Sequence, residues 1–426
     1  MNRSKAPKTE KEIKIDHIEP VVVKLNNSIP LYMINTGSQP VVRIDIIFKA
    51  GSWWQNKIMV ASSTITMLSE GTKNNTGEEI ARTLDYCGAY LNTSSDRDNA
   101  FITIYSLSKY VNLVLPLLAD IVKIPSFPEH EFQTYKERRK QSFIIERNKV
   151  NYLAREKFNL ALYGSKHPYG QTLSLSDFEN ISRQDLIDFH SGYFHSGNCK
   201  IIISGKFIEK ELAGKIDEHF GNSDWSATRM NKTGSVRKRS SSKKQIFIQK
   251  NDALQSAIRI GRELICKTHP DYNGMMVLNC ILGGHFGSRL MQNIREKKGY
   301  TYGIGSALVT LRNSGYFVIV SEVGTGYQKP AIKEIYRELN KLRIKPVSRN
   351  ELELARNHML GEVLRGFDGP FAWSESLRNL IEHEMDTGFY HNLIHTIRNI
   401  GPAKLQKLAN KYLEPEIMYE VLAGKK

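Results

Sequence analysis

Two side chains seven residues apart, Arg295 and Tyr302, have the types to act on a carbonyl group. A guanidinium offers a planar fork of N–H donors to a carboxylate or carbonyl oxygen, and a phenol can donate to an oxyanion. They sit in I-L-G-G-H-F-G-S-R-L-M-Q-N-I-R-E-K-K-G-Y-T-Y-G-I-G-S, Ile281 to Ser306, which reads as a glycine-loosened turn, a short helix and a strand. Leu290 and Ile294 share one helix face, Arg295 ends the helix, Gly299 stops it and Tyr302 lies in the strand. A helix-end arginine and a strand tyrosine so spaced can point into one cavity. The same spacing also suits a surface arginine and a half-buried tyrosine, and spacing alone does not separate the two. The glycine turn is no phosphate loop, because no Gly-Lys-Ser/Thr follows it.

The competing metal cluster is His391 and His395, four apart on one helix, with His383 and Glu384 nearby. The run H-N-L-I-H has no internal glutamate, and Leu393 and Ile394 suit ordinary packing. His190 and His195 flank Gly192-Tyr193 at a helix end. Trp53 and Trp54 suit either an exposed contact patch or a loop that packs on the other half. Cys87, Cys199, Cys266 and Cys280 are far apart with no C-x-x-C pair, which excludes a disulfide scaffold or thiolate zinc site. Cys87 and Cys280 fall on apolar helix faces.

These residues must be positioned by a chain of 426 residues, 40% apolar and 24% charged, which implies a soluble protein of two or more domains. Its net charge of +16 is uneven. Arg229, Lys232, Arg237, Lys238, Arg239, Lys243 and Lys244 lie among Ser, Thr, Gly and Asn with no acidic residue between Ser226 and Ile246, as in a solvated linker. No nucleic-acid motif accompanies them, so no nucleic-acid partner is expected. Residues 1–17 are polar, and the most apolar run, Val111 to Ile124, is short and contains Asp120 and Lys123. Neither reads as a leader or a membrane span, so no membrane partner and a cytoplasmic location are expected.

Elements repeat across the linker. Each half reads as two strands, two helices, a hairpin, several helices and a strand, and Gly77-x-x-Ile80 with Leu84 matches Gly287-x-x-Leu290 with Ile294 at an offset of 210. The period is too long for a solenoid and fits a domain duplication. The expected fold is α+β: two homologous domains of mixed or antiparallel sheet with helices, facing across a cleft. The expected boundaries are 1–225, a basic Ser-rich linker 226–245, and 246–426.

The chain also carries, in order, F-K-A-G-S from Phe48, E-G-T at Glu70–Thr72, G-E-E-I-A-R-T-L-D-Y-C-G-A from Gly77 and H-P-Y-G at His167–Gly170. L-G-G-H-F-G-S-R-L, I-R-E-K-K-G-Y-T-Y and Glu351–Gly361 follow. This series resembles the pitrilysin/insulinase-type metallopeptidases, which include mitochondrial processing peptidase and the core subunits of respiratory complex III. In catalytic members the motif H-x-x-E-H binds zinc through two histidines, and its glutamate is the general base. The resemblance places that motif at Ser62 to Thr66, where this chain reads S-S-T-I-T. Ser62 and Thr66 replace the histidines, Ile65 replaces the glutamate, and the third ligand falls near Ser142 to Glu146. Hydroxyls are poor zinc ligands and Ile65 cannot take a proton, so the chain is expected to bind no metal and to be inactive alone.

The second half matches the family's Arg–Tyr pair at Arg295 and Tyr302, which in the family hydrogen-bonds substrate opposite the zinc. The resemblance therefore implies the non-catalytic subunit of a two-chain zinc endopeptidase. Its partner would be a homologous chain with an intact H-x-x-E-H, holding the zinc, and the substrate an extended peptide added to a strand edge. The alternatives are an inert peptide-binding or scaffold homologue, and an independent peptidase with a metal around His391 and His395.

Overall fold

The computed structural model describes residues 19–222, Trp225 and residues 238–426. The polar N-terminal residues 1–17, with Arg229, Lys232 and Arg237 of the basic stretch, lie outside the described residues.

The first half runs β1 (Val21–Lys24), β2 (Pro30–Asn35), β3 (Val41–Phe48), α1 (Val60–Met67), α2 (Gly77–Cys87), β4 (Tyr90–Ser95) and β5 (Ala100–Leu107). It continues through α3 (Val111–Lys123), α4 (Glu129–Glu146), α5 (Val150–Tyr163), α6 (Leu175–Asn180), α7 (Arg183–Tyr193), β6 (Cys199–Gly205) and α8 (Glu209–Phe220). The second half runs β7 (Gln245–Gln249), β8 (Gln255–Leu264), α9 (Tyr272–Asn279), β9 (Thr301–Leu311) and β10 (Ser314–Gly324). It ends with α10 (Gln328–Ile344), α11 (Arg349–Arg365), α12 (Pro370–Glu382), α13 (Gly388–Asn399), α14 (Pro402–Tyr412) and β11 (Tyr419–Gly424). Local chemistry sets many of these bounds. At α2, Thr76 N donates to Glu79 Oε2 at 2.8 Å while Thr76 Oγ1 accepts from Glu79 N at 3.3 Å, and Gly88 closes the helix at φ 57°.

The two sheets share one topology. The first has the order β1-β2-β6-β3-β5-β4, and the second β7-β11-β8-β10-β9. In each, one parallel pair (β2 with β6, β7 with β11) is followed by antiparallel neighbours out to an edge strand, β4 or β9. Among the described strands, only β1 has no counterpart. The fold is α+β, with two structurally repeated halves.

Each half lends a helix to the other. On its inner face each sheet packs on its own helices, and on its outer face it packs on a helix from the opposite half. α5 lays Ala154, Phe158 and Leu162 on Ala257, Val318 and Val421 of the second sheet. α12 lays Trp373, Leu377 and Ile381 on Ile34, Ile47, Phe101 and Ile202 of the first. Each larger aliphatic or phenylalanine side chain so buried contributes about 1.5–3 kcal/mol. On β3 the alternation Val42, Ile44, Ile46 against Arg43 and Asp45 is that of a half-buried strand, but both faces are covered. Arg43 and Asp45 alternate with the core residues, yet each is only 1% exposed, because α12 covers them.

That covered face holds a polar network. Arg43 donates to both oxygens of Asp45 at 2.7 Å, and its Nη2 lies 2.6 Å from Glu375 Oε1 on α12. Thr103 and Ser374 hydroxyls donate to Asp45 at 2.6 and 2.8 Å. Tyr169 of the H-P-Y-G motif donates to Asp98, whose other oxygen accepts from Arg312 N at 2.9 Å, so that motif ties the β4–β5 turn to the β9–β10 turn. Trp53 is not an exposed patch: its ring packs 4.7 Å from Tyr169 within the seam between the halves. The basic stretch is docked where it is described. Arg239 N donates to Tyr163 O at 3.2 Å, and Ser241 N to Ala161 O at 2.8 Å, at the end of α5.

Candidate functional site

The turn before Arg295 is tight for a stated reason. A Cβ at Gly283 would lie 2.6 Å from Ser306 N on β9, so this backbone approach admits only glycine without movement. The helix that follows is wider than an α-helix, and residues Met291–Lys297 form a π-helical segment. Lys298 N reaches back to Asn293 O at 3.1 Å. Such widened turns are rare and concentrate at functional sites. Leu290 and Ile294 are fully buried. Arg289 grips Glu351 of α11 with two bonds of 2.6 and 2.9 Å, and Asn293 donates to Glu334 and Glu338 of α10 at 2.9 and 2.8 Å. Gly299 ends the segment at φ 65°.

Tyr302 follows on β9, the edge of its sheet, and is 91% exposed. A β-bulge puts it there. The register passes from Ser321–Ile304 to Val323–Thr301, so Tyr302 and Gly303 together face the single Glu322. Hydroxyls fix the extra residue. Thr301 Oγ1 donates to Glu322 O at 2.6 Å and accepts from Gly303 N at 3.0 Å, and Ser321 Oγ donates to Gly303 O at 3.0 Å.

Beside Tyr302 opens a cavity of about 520 Å³, lined by Gly303, Gly305 and Val320 of the sheet and by Asn151 of α5. Arg259 and Glu322 bring the two charges into it. Arg259 Nη2 donates to Asn151 Oδ1 at 2.9 Å, whereas among the described residues its buried Nε has no partner. Burial lowers the pKa of this guanidinium, and Glu322 partly offsets the shift. Arg295 is not among the walls. Its guanidinium lies over the Phe286 ring at 4.8 Å, and its Nε is 3.4 Å from Glu296 Oε1. The two side chains singled out by spacing thus flank the same turn without sharing this cavity.

Ser62, Ile65 and Thr66 lie on α1. Ser62 and Thr66 are exposed one turn apart, but Ser62 Oγ donates to Met59 O at 3.0 Å and Thr66 Oγ1 to Ser62 O at 2.8 Å. Ile65 is 1% exposed in the first core. Glu146 lies 3.4 Å from Arg139. These residues do not fit a zinc ion. Among the described residues no group of three or more His, Cys, Asp or Glu is placed to hold a metal. His391 and His395 are exposed on α13, while Glu384 is engaged by Lys49 at 2.8 Å and Arg312 at 2.6 Å. His190 Nε2 lies 2.8 Å from Val122 O and its ring stacks on Phe194, a packing role.

Two sequence-family models match. "Insulinase (Peptidase family M16)" matches residues 32–168 and "Peptidase M16 inactive domain" matches residues 180–359. The chain belongs to the insulinase family, peptidase family M16. An uncharacterized zinc protease of Mycobacterium leprae is 22% identical to this M16 chain over 348 residues, covering 80% of it and 76% of the relative. A probable mitochondrial-processing peptidase subunit beta of Schizosaccharomyces pombe is 22% identical over 333 residues, 72% of this chain and 69% of the relative. A crystal structure described as the peptidase M16 inactive domain from Pseudomonas fluorescens superposes with a TM-score of 0.87. It has 22% identity and covers 96% of this chain and 99% of that one, which establishes the shared fold. Among the described residues, no helix of this M16 homologue is long and apolar enough to cross a membrane.

Proposed function

We propose that this chain is the non-catalytic, substrate-binding subunit of a two-chain zinc endopeptidase acting on extended peptides. The observation that carries the reading is the placement of Tyr302: on an unpaired strand edge, pushed outward by a hydroxyl-locked bulge, beside an open cavity. An extended peptide laid along β9 finds unpaired backbone groups there, and its side chains meet Arg259 and Glu322. The Tyr302 hydroxyl is free to donate to the oxygen of an attacked peptide carbonyl, and Arg295 swings from Phe286 to the substrate. Zinc belongs to the partner, a homologous chain with H-x-x-E-H, because Ser62, Ile65 and Thr66 are the degenerate motif positions here. The Schizosaccharomyces relative, described as a subunit, supports a paired arrangement.

One observation favours the second reading, peptide binding or scaffolding without hydrolysis. The Arg295 guanidinium is occupied by Phe286 and Glu296 and lies outside the cavity wall. The test is native mass spectrometry of the tagged chain drawn from its own cells, followed by peptide hydrolysis assays on any assembly found. A second chain of similar mass bearing H-x-x-E-H, with hydrolysis that falls in Arg295→Ala and Tyr302→Phe, is the expected result. A monomer or self-dimer would overturn the split peptidase, and an assembly that binds peptide without cleaving it would leave the second reading.

A further inference from the structure

The seam between the halves holds another cavity, of about 370 Å³, which shares no wall residue with the one beside Tyr302. Three cations line it: Lys49 at the end of β3, Lys200 on β6, and Arg312 in the turn between β9 and β10. Among the described residues, Glu384 is the one carboxylate in ion-pair contact with them. Lys49 Nζ and Arg312 Nη2 both donate to its Oε1, at 2.8 and 2.6 Å. These bonds draw the Glu384 carboxyl down to about 2, so it stays ionised, and its backbone is held in the left-handed region at φ 55°. Glu382, also on the wall, is raised to about 7 by burial and then by Asp96, and it lies 3.5 Å from Arg378 Nε on α12.

Lys200 has no ion pair or hydrogen bond among the described residues. It is half-buried, and burial together with Lys49 and Arg312 lowers its pKa, partly offset by Glu384. Donors remain for a ligand. Lys200 keeps all its N–H groups, Lys49 has spent one, and Arg312 retains Nε and Nη1. Ser196 and Asn198 add polar wall, and the groups are contributed by both halves.

We propose that this cavity binds a small, multiply charged oxyanion of the phosphate or pyrophosphate class, held by Lys200, Lys49 and Arg312. The anion supplies the counter-charge that Lys200 lacks, and it bridges the first half, through Lys49 and Lys200, to the second, through Arg312. The inference is independent of the peptidase reading, since no residue it uses lies at the β9 edge.

The test is calorimetric titration of the full chain with sodium pyrophosphate, with sodium chloride at matched ionic strength as control. The expected result is saturable binding with a raised melting temperature. Lys200→Gln weakens it about tenfold or more, as expected for loss of a charge-assisted contact. Lys200→Arg keeps it, and Lys215→Gln on α8, outside this cavity, leaves it unchanged. A wild-type measurement guards against a folding defect in the variant: pyrophosphate slows hydrogen exchange at residues 196–200 and 312–314. No saturable binding beyond the chloride control, wild-type affinity in Lys200→Gln, or unchanged exchange at those two segments would each overturn the proposal.

Discussion

Asp45→Ala is the sharpest probe of how the halves are joined. Asp45 is 1% exposed and accepts two bonds of 2.7 Å from Arg43, with further bonds from Thr103 and Ser374. Removing it strands a guanidinium that is itself 1% exposed, leaving it Glu375, whose side chain is 47% exposed, and a long contact of 3.4 Å to Phe371 O. Breaking a buried pair from one side costs about 3–5 kcal/mol, roughly two to three and a half powers of ten in an equilibrium constant. The loss falls on the docking of α12, so hydrogen exchange there rises about a hundredfold or more, while α2, in the first core, changes least. The charge-free double variant Arg43→Met/Asp45→Leu recovers most of the loss, because it leaves no buried charge without a partner. Urea unfolding of the single and double variants supplies the free energies. A cost below about 1 kcal/mol for Asp45→Ala, or a double variant no more stable than the single, would refute the argument.

If the proposed two-chain peptidase forms, Tyr302→Phe lowers its kcat by about ten- to a hundredfold while KM changes little, whereas Arg295→Ala raises KM; equal effects on both parameters in both variants count against the proposed roles. Thr301→Val with Ser321→Ala releases the bulge at Gly303, and peptide binding measured by fluorescence anisotropy weakens while the melting temperature falls by only a few degrees. Burial outweighs the Val122 hydrogen bond and holds His190 down to about 4, so between about pH 6.5 and 4 the unfolded chain binds more protons. Stability therefore falls as pH drops through that window, and urea midpoints in His190→Phe show a shallower slope. Metal analysis of the dialysed chain gives well below one zinc per molecule, and one tightly held zinc would sink the assignment of zinc to a partner.

What the sequence made legible was local. The capping boxes at Thr76 and Ser182 and the repeated order of elements, with a hairpin in each half, rest on residues near one another. The hairpin turn falls at Arg312–Asn313, slightly ahead of the Asn313-Ser314-Gly315 run that signals it. What escaped depends on distant partners. The stripe Ala154–Phe158–Leu162 announces a packed face on α5 without naming which sheet receives it. Arg43 and Asp45 imitate a solvent face because their cover, α12, lies more than 300 residues away. The bulge under Tyr302 is decided by Ser321 from the neighbouring strand, and the π-helical turns at 280–284 and 291–297 have no propensity signal. Strand β1 does carry three β-branched valines, but all four of its residues are exposed, so it shows no buried face to alternate with. At the site, Tyr302 was legible by type and spacing, whereas Arg259 looked like one more alternating strand residue.

The exchanged helices bear on how the protein is made. The strands of the first sheet have all left the ribosome once β6 ends at Gly205, yet the helix that shields Ile34, Ile47, Phe101 and Ile202 ends at Glu382. At about 5–20 residues per second, that separation is on the order of 10–35 s during which a greasy sheet face waits uncovered on the nascent chain. A chaperone that dwells on the emerging polypeptide over that interval, and leaves when α12 arrives, is the helper such an architecture calls for. The same geometry means that cutting the gene between the halves yields two fragments that each lack a cover and each carry the other's, so they should rescue one another only when made together.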